Sequence, residues 1–377
     1  MNLNARKPGA RWKSGDRVQM IKVAVDARPL AYQHTGIGVY TANILQRLAD
    51  TGAIDLVLYF TTPGPAIEFA RCRHVSIGAF PNAIAAQLAF TKWAREDEVD
   101  VFWSPRHHLP LAVACRTVVT IHDMVWRQVP KTMKRGGRVL ESILMPPSLR
   151  KADAIICVSE ATRKDVVNFL PQCQTKSHVI YEAANVYPEH GGKMEQTVSD
   201  EPYFLFVGTK EPRKNLHRLL EAWRRSHAPT QGYKLVLAGG AGWGTDLSAV
   251  ISRLRLQDSV HDVTPEVGTL QSLYQNCYAV LMPSLYEGFG IPLVEAMAFA
   301  KPVITSACSA MGEIVGDAGM TIDPYSVDEV ATAINRLIGD KPQYHKLAAA
   351  SAQRSEIYCW DRAATQTLNV IERVAAA

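Results

Sequence analysis

Two successive trains of short apolar runs, parted by one polar stretch, constrain the fold of this 377-residue chain more than anything else in it. IKVAV (21–25), DLVLYF (55–60), VDVFWS (99–104), TVVTIHD (117–123) and AIICVSE (154–160) make the first train. Between them lie segments of helical character, such as YTANILQRLA (40–49), whose Ile44, Leu45 and Leu48 share one face. The stretch 185–202, NVYPEHGGKMEQTVSDEP, then carries proline, glycine and charge without periodicity and reads as a linker. Alternation restarts with YFLFVG (203–208) and runs through KLVLAG (234–239), VHDV (260–263), AVLMPS (279–284) and PVITSA (302–307). Short apolar strands alternating with helices imply parallel sheets covered by helices. The expected architecture is α/β: one doubly wound domain over 20–190, a second over 200–355, and a closing helix in 356–377 able to cross back to the first. Two such domains facing each other leave a cleft between the carboxyl ends of their strands, where ligands gather.

Composition narrows the function class. Apolar residues are 47% and charged residues 20% of the chain, ordinary for a soluble globular protein. No apolar run approaches the ~20 residues that a membrane span needs. Residues 1–19 are basic and polar without an apolar core, which argues against a secretory signal and predicts a disordered extension. The seven cysteines are scattered and include no CxxC pair, so a reducing cytoplasm is expected, with no disulfide framework and no structural zinc. Residues 1–190 hold 24 Lys and Arg against 16 Asp and Glu, or +8; the remainder hold 17 against 20, or −3, and the two make the net +5. A basic first half suits a phosphorylated ligand or an anionic membrane surface. The aromatic-basic interleaving of a nucleic-acid binder is missing, and no nucleic-acid partner is expected.

Within the second train, PSLYEGFGIPLVEAM (283–297) places two carboxylates around a Gly-Phe-Gly-Ile-Pro turn. AVLMPS reads as a buried strand and IPLVEAMAFA (291–300) as a helix, with Pro292 tolerated in its first turn. Gly288 and Gly290 permit positive φ and a close approach to the backbone, and the amides and dipole of the new helix point into the same space. That is a site for an anion or a polyhydroxyl group, with Glu287 on the loop and Glu295 about a turn into the helix.

The same segment resembles the Glu-x7-Glu motif of the retaining nucleotide-sugar glycosyltransferases of family 4, which have the GT-B fold of two facing Rossmann-like domains. HTGIGVY (34–40), VVTIHD (118–123), GTKEPRKNL (208–216) and GEIVGDAG (312–319) resemble that family's other landmarks in the same order, so the likeness spans about 20–370. It implies that Glu287 contacts hydroxyls of the donor sugar and Glu295 the nucleotide ribose, since a carboxylate accepts two hydroxyl hydrogen bonds. Backbone amides from Gly288 through Phe289, Gly290 and Ile291 to Leu293 would line the sugar and diphosphate. Lys214 matches the family's diphosphate contact. An arginine that often follows the glycine of this motif is Thr209 here, and Arg213 is expected to supply that charge. His122 would face the donor sugar near the reacting carbon as a hydrogen-bonding, positioning group. Gly36 and Gly38 match a glycine loop near the phosphates and the acceptor. There is no Asp-x-Asp, so no metal is expected, and no cofactor beyond the donor substrate.

Retention follows from the resemblance. No residue is marked as a nucleophile on the sugar face opposite the leaving group, so a front-side displacement is expected, in which the leaving phosphate draws the acceptor proton. The IHD and EPRKN segments look most like bacterial mannosyltransferases of surface-polysaccharide pathways. That implies GDP-mannose as donor and a lipid-linked oligosaccharide as acceptor at the cytoplasmic membrane face, with UDP-sugar donors left open. Residues 131–151 mix Lys131, Lys134, Arg135 and Arg138 with Val139, Leu140, Ile143, Leu144 and Met145. Such a stretch reads equally as a surface docked on an anionic bilayer and as a core-facing helix with a basic rim. Two other functions compete: a nicotinamide dehydrogenase, suggested by LVLAGGAGWG (235–244) but lacking a full GxGxxG in the first unit, and a non-catalytic sugar-nucleotide-binding protein.

Overall fold

The computed structural model describes residues 20–32, 35–62, 67–74, 82–185, 201–244, 246–265 and 267–377. The extension 1–19, His34 of the HTGIGVY segment and residues 186–200 of the linker stretch lie outside the described residues.

Strands β1 (Ile21–Asp26), β2 (Ile54–Phe60), β3 (Arg71–His74), β4 (Val101–Ser104), β5 (Arg116–Ile121), β6 (Ala154–Cys157) and β7 (Ser177–Val179) form one parallel sheet in the order β3-β2-β1-β4-β5-β6-β7. Strands β8 (Tyr203–Val207), β9 (Lys234–Ala238), β10 (Val260–Val263), β11 (Ala279–Met282), β12 (Val303–Ser306) and β13 (Gly319–Ile322) form a second, ordered β10-β9-β8-β11-β12-β13. Each order reverses once, between β1 and β4 and between β8 and β11, as in doubly wound sheets. In register, Val25 sits between Leu58 and Trp103, and Leu205 between Val236 and Val280. The central runs are apolar without alternation because helices cover both faces: every residue of β4, β6 and β11 is buried. β3 (RCRH) and β7 (SHV) carry no apolar run. Both are edge strands, where polar side chains are tolerated and protect the open edge.

The helix Trp360–Ala375 packs on the helix Gly36–Thr51 and on β4 and β5 of the first sheet. Its Trp360 indole N–H donates to the Ala184 carbonyl at 2.8 Å, and Val370 and Ile371 are buried beneath it. Direct hydrogen bonds also join the two domain faces. The Glu313 carboxylate accepts the Glu160 and Ala161 amides, each at 2.8 Å, and so caps the helix Glu160–Phe169 from the other domain. It accepts the Tyr181 hydroxyl as well, at 2.8 Å. The Tyr286 hydroxyl donates to Asp165 at 2.7 Å and accepts the Met124 amide at 3.2 Å. These contacts give the GEIVGDAG and SLYEG segments a role in domain contact. Among the described residues, no helix is long and apolar enough to cross a membrane.

Candidate active site

Loops at the carboxyl ends of strands from both sheets meet in a cleft of about 460 Å³. The first domain contributes Gly36, His122 and Glu182, and the second contributes Arg213, Lys214, Glu287, the 288–292 turn and Glu295. One of its glycines, Gly288, is there for close approach. A Cβ on Gly288 would stand 1.6 Å from the His122 carbonyl oxygen of the opposite domain, so only glycine lets the two loops touch. The Gly288 carbonyl in turn accepts the Ser159 and Thr162 hydroxyls, at 2.6 and 3.0 Å. Gly290, with φ at 105°, is the N-cap of the helix Ile291–Ala298, and Pro292 follows in the first turn.

Glu287 is buried between two cations. Lys214 Nζ donates to its Oε1 at 2.8 Å and the Arg213 guanidinium to its Oε2. Its amide donates to Ser309 Oγ at 3.0 Å. Burial opposes its charge, but Arg213 and Lys214 outweigh burial and hold the carboxyl at about 2. Burial also works on Lys214, lowering its ammonium despite the nearby Glu287, whereas Arg213 is raised because Glu287 overcomes its burial. Asn215 keeps these parts in register: in the left-handed region at φ 60°, its side-chain Nδ2 donates to the carbonyls of Pro283 (3.0 Å) and Pro324 (2.7 Å).

Glu295, one turn into the helix, accepts the Tyr274 hydroxyl at 2.6 Å and the Asn185 amide at 3.3 Å. Burial pushes its carboxyl up, as no cation faces it to offset the lost hydration. His122 closes β5 with both ring nitrogens engaged: Nδ1 is 2.8 Å from Glu182 Oε1, and Nε2 is 2.9 Å from the Pro105 carbonyl. A carbonyl only accepts, so Nε2 carries a proton. The ring meets Tyr40 edge-on at 4.9 Å. The sugar hydrogen bond expected of His122 therefore competes with protein partners already in place.

Two expected participants do not face the cleft, and one expected loop is a helix. Leu293 is fully buried and its amide is spent on the Gly290 carbonyl at 2.9 Å, because the third residue of the helix already bonds back to its N-cap. Gly38 is buried, and its amide donates to Thr35 Oγ1 at 3.1 Å. Thr35 is an N-cap, so Gly36 and Gly38 open the helix Gly36–Thr51 rather than forming a glycine loop. Gly36, Arg213, Lys214, Phe289, Ile291 and Thr209 do line the cleft. The sequence did not single out Glu182, Tyr274, Asn185 or Ser309. Each acts on a residue at least 21 positions away, and no local pattern marks such a pairing. Among the described residues, no group of three or more His, Cys, Asp or Glu side chains is placed to hold a metal ion.

Comparisons agree with this geometry. A family model described as Glycosyltransferase Family 4 matches residues 34–187, and one described as Glycosyl transferases group 1 matches residues 193–354. The chain is 27% identical over 382 residues to O-antigen chain mannosyltransferase B of Escherichia coli, covering 93% of this chain and 99% of that one. Sucrose-phosphate synthase from Thermosynechococcus elongatus is similar in fold, with a TM-score of 0.76 at 20% identity over 94% of this chain and 99% of that one. Anabaena HepE, solved in complex with UDP and glucose, superposes with a TM-score of 0.71 at 19% identity over 94% of this chain and all of that one, 100%. Matched in both halves, and built as two facing Rossmann-like domains, the chain belongs to the family 4 glycosyltransferases of GT-B fold, enzymes that transfer a sugar.

Proposed function

We propose that the protein transfers mannose from GDP-mannose, with retention of configuration, to a lipid-linked oligosaccharide in surface-polysaccharide assembly. The observation that carries this reading is the buried Arg213–Glu287–Lys214 cluster at the start of the helix Ile291–Ala298, with Glu295 one turn further along the same cleft. Two cations and a helix N-terminus in a low-dielectric cleft stabilise the charge that develops on a leaving diphosphate. Glu287, oriented by those cations, accepts hydroxyls of the transferred sugar; Glu295, free of cations, accepts those of the ribose. The paired His122 and Glu182 act as a positioning unit beside the sugar. In the front-side step the anomeric C–O bond to phosphate breaks as the acceptor oxygen bonds to the same face, and the departing phosphate oxygen takes the acceptor proton.

Mannose is favoured by the name of the Escherichia coli relative, which aligns along nearly its whole length. A UDP-sugar donor is the second reading, favoured by the fold likeness to a protein solved with UDP and glucose. Peripheral contact with the inner face of the cytoplasmic membrane is part of the proposal. The helix Arg135–Lys151 exposes Val139, Leu140 and Ile143 beside the exposed Arg135 and Arg138, a combination suited to an anionic bilayer. Calorimetric titration with GDP-mannose, UDP-glucose, UDP-galactose, GDP and NAD, with EDTA present, tests the donor. Selective binding of the GDP ligands is expected; preference for a UDP sugar replaces the donor, and binding of NAD alone overturns the reading.

A further inference from the structure

A second cavity, of about 350 Å³, adjoins the donor cleft and shares Asp123, Glu211 and Arg213 with its wall. His107, just after β4, and Glu141, on the helix Arg135–Lys151, bound it from the first domain, and the half-buried Trp243 bounds it from the second. Glu141 Oε2 is 3.3 Å from His107 Nδ1 and 3.0 Å from His108 Nε2. Burial opposes the Glu141 charge, but the two histidines hold its carboxyl well below the usual range. His107 is itself buried, and its Nε2 has no hydrogen-bond partner in the protein. A buried polar atom left without a partner is costly, so His107 gains from a ligand group that enters the cavity it lines and reaches Nε2.

The chemistry of this cavity selects a neutral polyhydroxyl ligand. Its charged lining is balanced: Asp123, Glu141 and Glu211 stand with Lys134 and Arg213, and the two histidines further offset Glu141, so no net positive charge favours a phosphate while the carboxylates accept hydroxyls. The Trp243 ring offers an apolar face to the C–H face of a pyranose. Arg213 belongs to both cavities, so an occupant of the second lies next to the sugar gripped by Glu287. We propose that this cavity binds the terminal saccharide of the acceptor, with Trp243 packed against its C–H face and His107, held by Glu141, hydrogen-bonding one of its hydroxyls. The assignment rests on the transferase reading above. His107 is a binding residue for the acceptor and Glu141 a positioning residue that acts through it, and the reacting hydroxyl is the one directed past Arg213 into the donor cleft.

The test uses the full chain, the sugar nucleotide selected by titration, and octyl α-D-mannoside, α-D-glucoside and α-D-galactoside as acceptors. Trp243→Ala is expected to raise the acceptor KM about tenfold or more while the donor KM stays within about twofold, and Trp243→Phe to restore most of the loss. His107→Gln is expected to raise the acceptor KM by about fivefold or more. Acceptor KM values unchanged in both Trp243→Ala and His107→Gln overturn the subsite and leave the transferase standing. So does donor binding with no saturable transfer to any of the three hexosides. Absence of sugar-nucleotide binding by the unaltered chain instead overturns the transferase reading, and the subsite with it.

Discussion

Lys214 Nζ lies 2.8 Å from Glu287 Oε1, and both side chains are buried. The cation assigned to the diphosphate and the carboxylate assigned to the sugar thus neutralise each other before any donor arrives, and Arg213 joins them on the second carboxylate oxygen. In the proposed complex, donor entry would redistribute charge among groups already dehydrated, which would limit the reorganisation needed during the reaction.

Lys214→Met removes one cation and leaves Glu287 with Arg213 alone. Stability is expected to fall by about 1–3 kcal/mol, and donor kcat/KM by about 100-fold. Urea unfolding and initial-rate kinetics read the two effects. A variant with wild-type kinetics removes Lys214 from the diphosphate site.

Acid stability carries the mark of Glu287. Its carboxyl is held at about 2 against the ordinary 4.5. A lowered carboxylate contributes stability that is complete above its unfolded pKa and is lost as pH falls from about 4.5 through about 2. Glu295, raised by burial, works the other way, since protonation relieves its charge. The urea midpoint of Glu287→Gln is therefore expected to fall less steeply than that of the wild type between pH 4.5 and 2. Parallel curves would contradict the assignment.

Glu295→Gln keeps the size of the side chain but removes the charge that accepts the Tyr274 hydroxyl and, in the proposed complex, the ribose hydroxyls. Nucleotide affinity measured by calorimetry is expected to drop about tenfold with kcat nearly unchanged, and Tyr274→Phe to cost less. Equal affinity in Glu295→Gln and wild type rules out the ribose contact.

Glu182→Gln exchanges the carboxylate beside His122 Nδ1 for an amide. Turnover is expected to fall about tenfold or more while the donor KM changes little, because the altered group orients the ring rather than binding the nucleotide. A rise in donor KM with full turnover would place the pair in donor binding instead.

Glu313→Ala removes the cap that one domain places on the helix Glu160–Phe169 of the other. Amide hydrogen exchange at Glu160 and Ala161 is expected to accelerate, with a stability loss of about 1 kcal/mol. Unchanged protection there would show that the cap does not hold the domains together.

Much of this protein is legible along the chain. Runs such as AIIC and AVLM are apolar throughout because strands buried on both faces leave no position for a polar side chain, and that pattern predicts two doubly wound sheets. Gly288, Gly290 and Pro292 mark a strand-to-helix turn because backbone geometry is a local property. Edge strands β3 and β7 escape the pattern, since an edge imposes little demand on side chains.

The sequence by itself determined the sheet-building runs, the turn between Glu287 and Glu295, and the residues that carry the family resemblance. Only the tertiary structure decided what those residues touch. Glu287 meets Lys214 across 73 positions and His122 meets Glu182 across 60, while Gly36 and Gly38 turn out to open a capped helix. A charged or polar side chain states in sequence only what it can bond; which partner stands at hydrogen-bond distance depends on how the sheets bring distant loops together, and no local period records that.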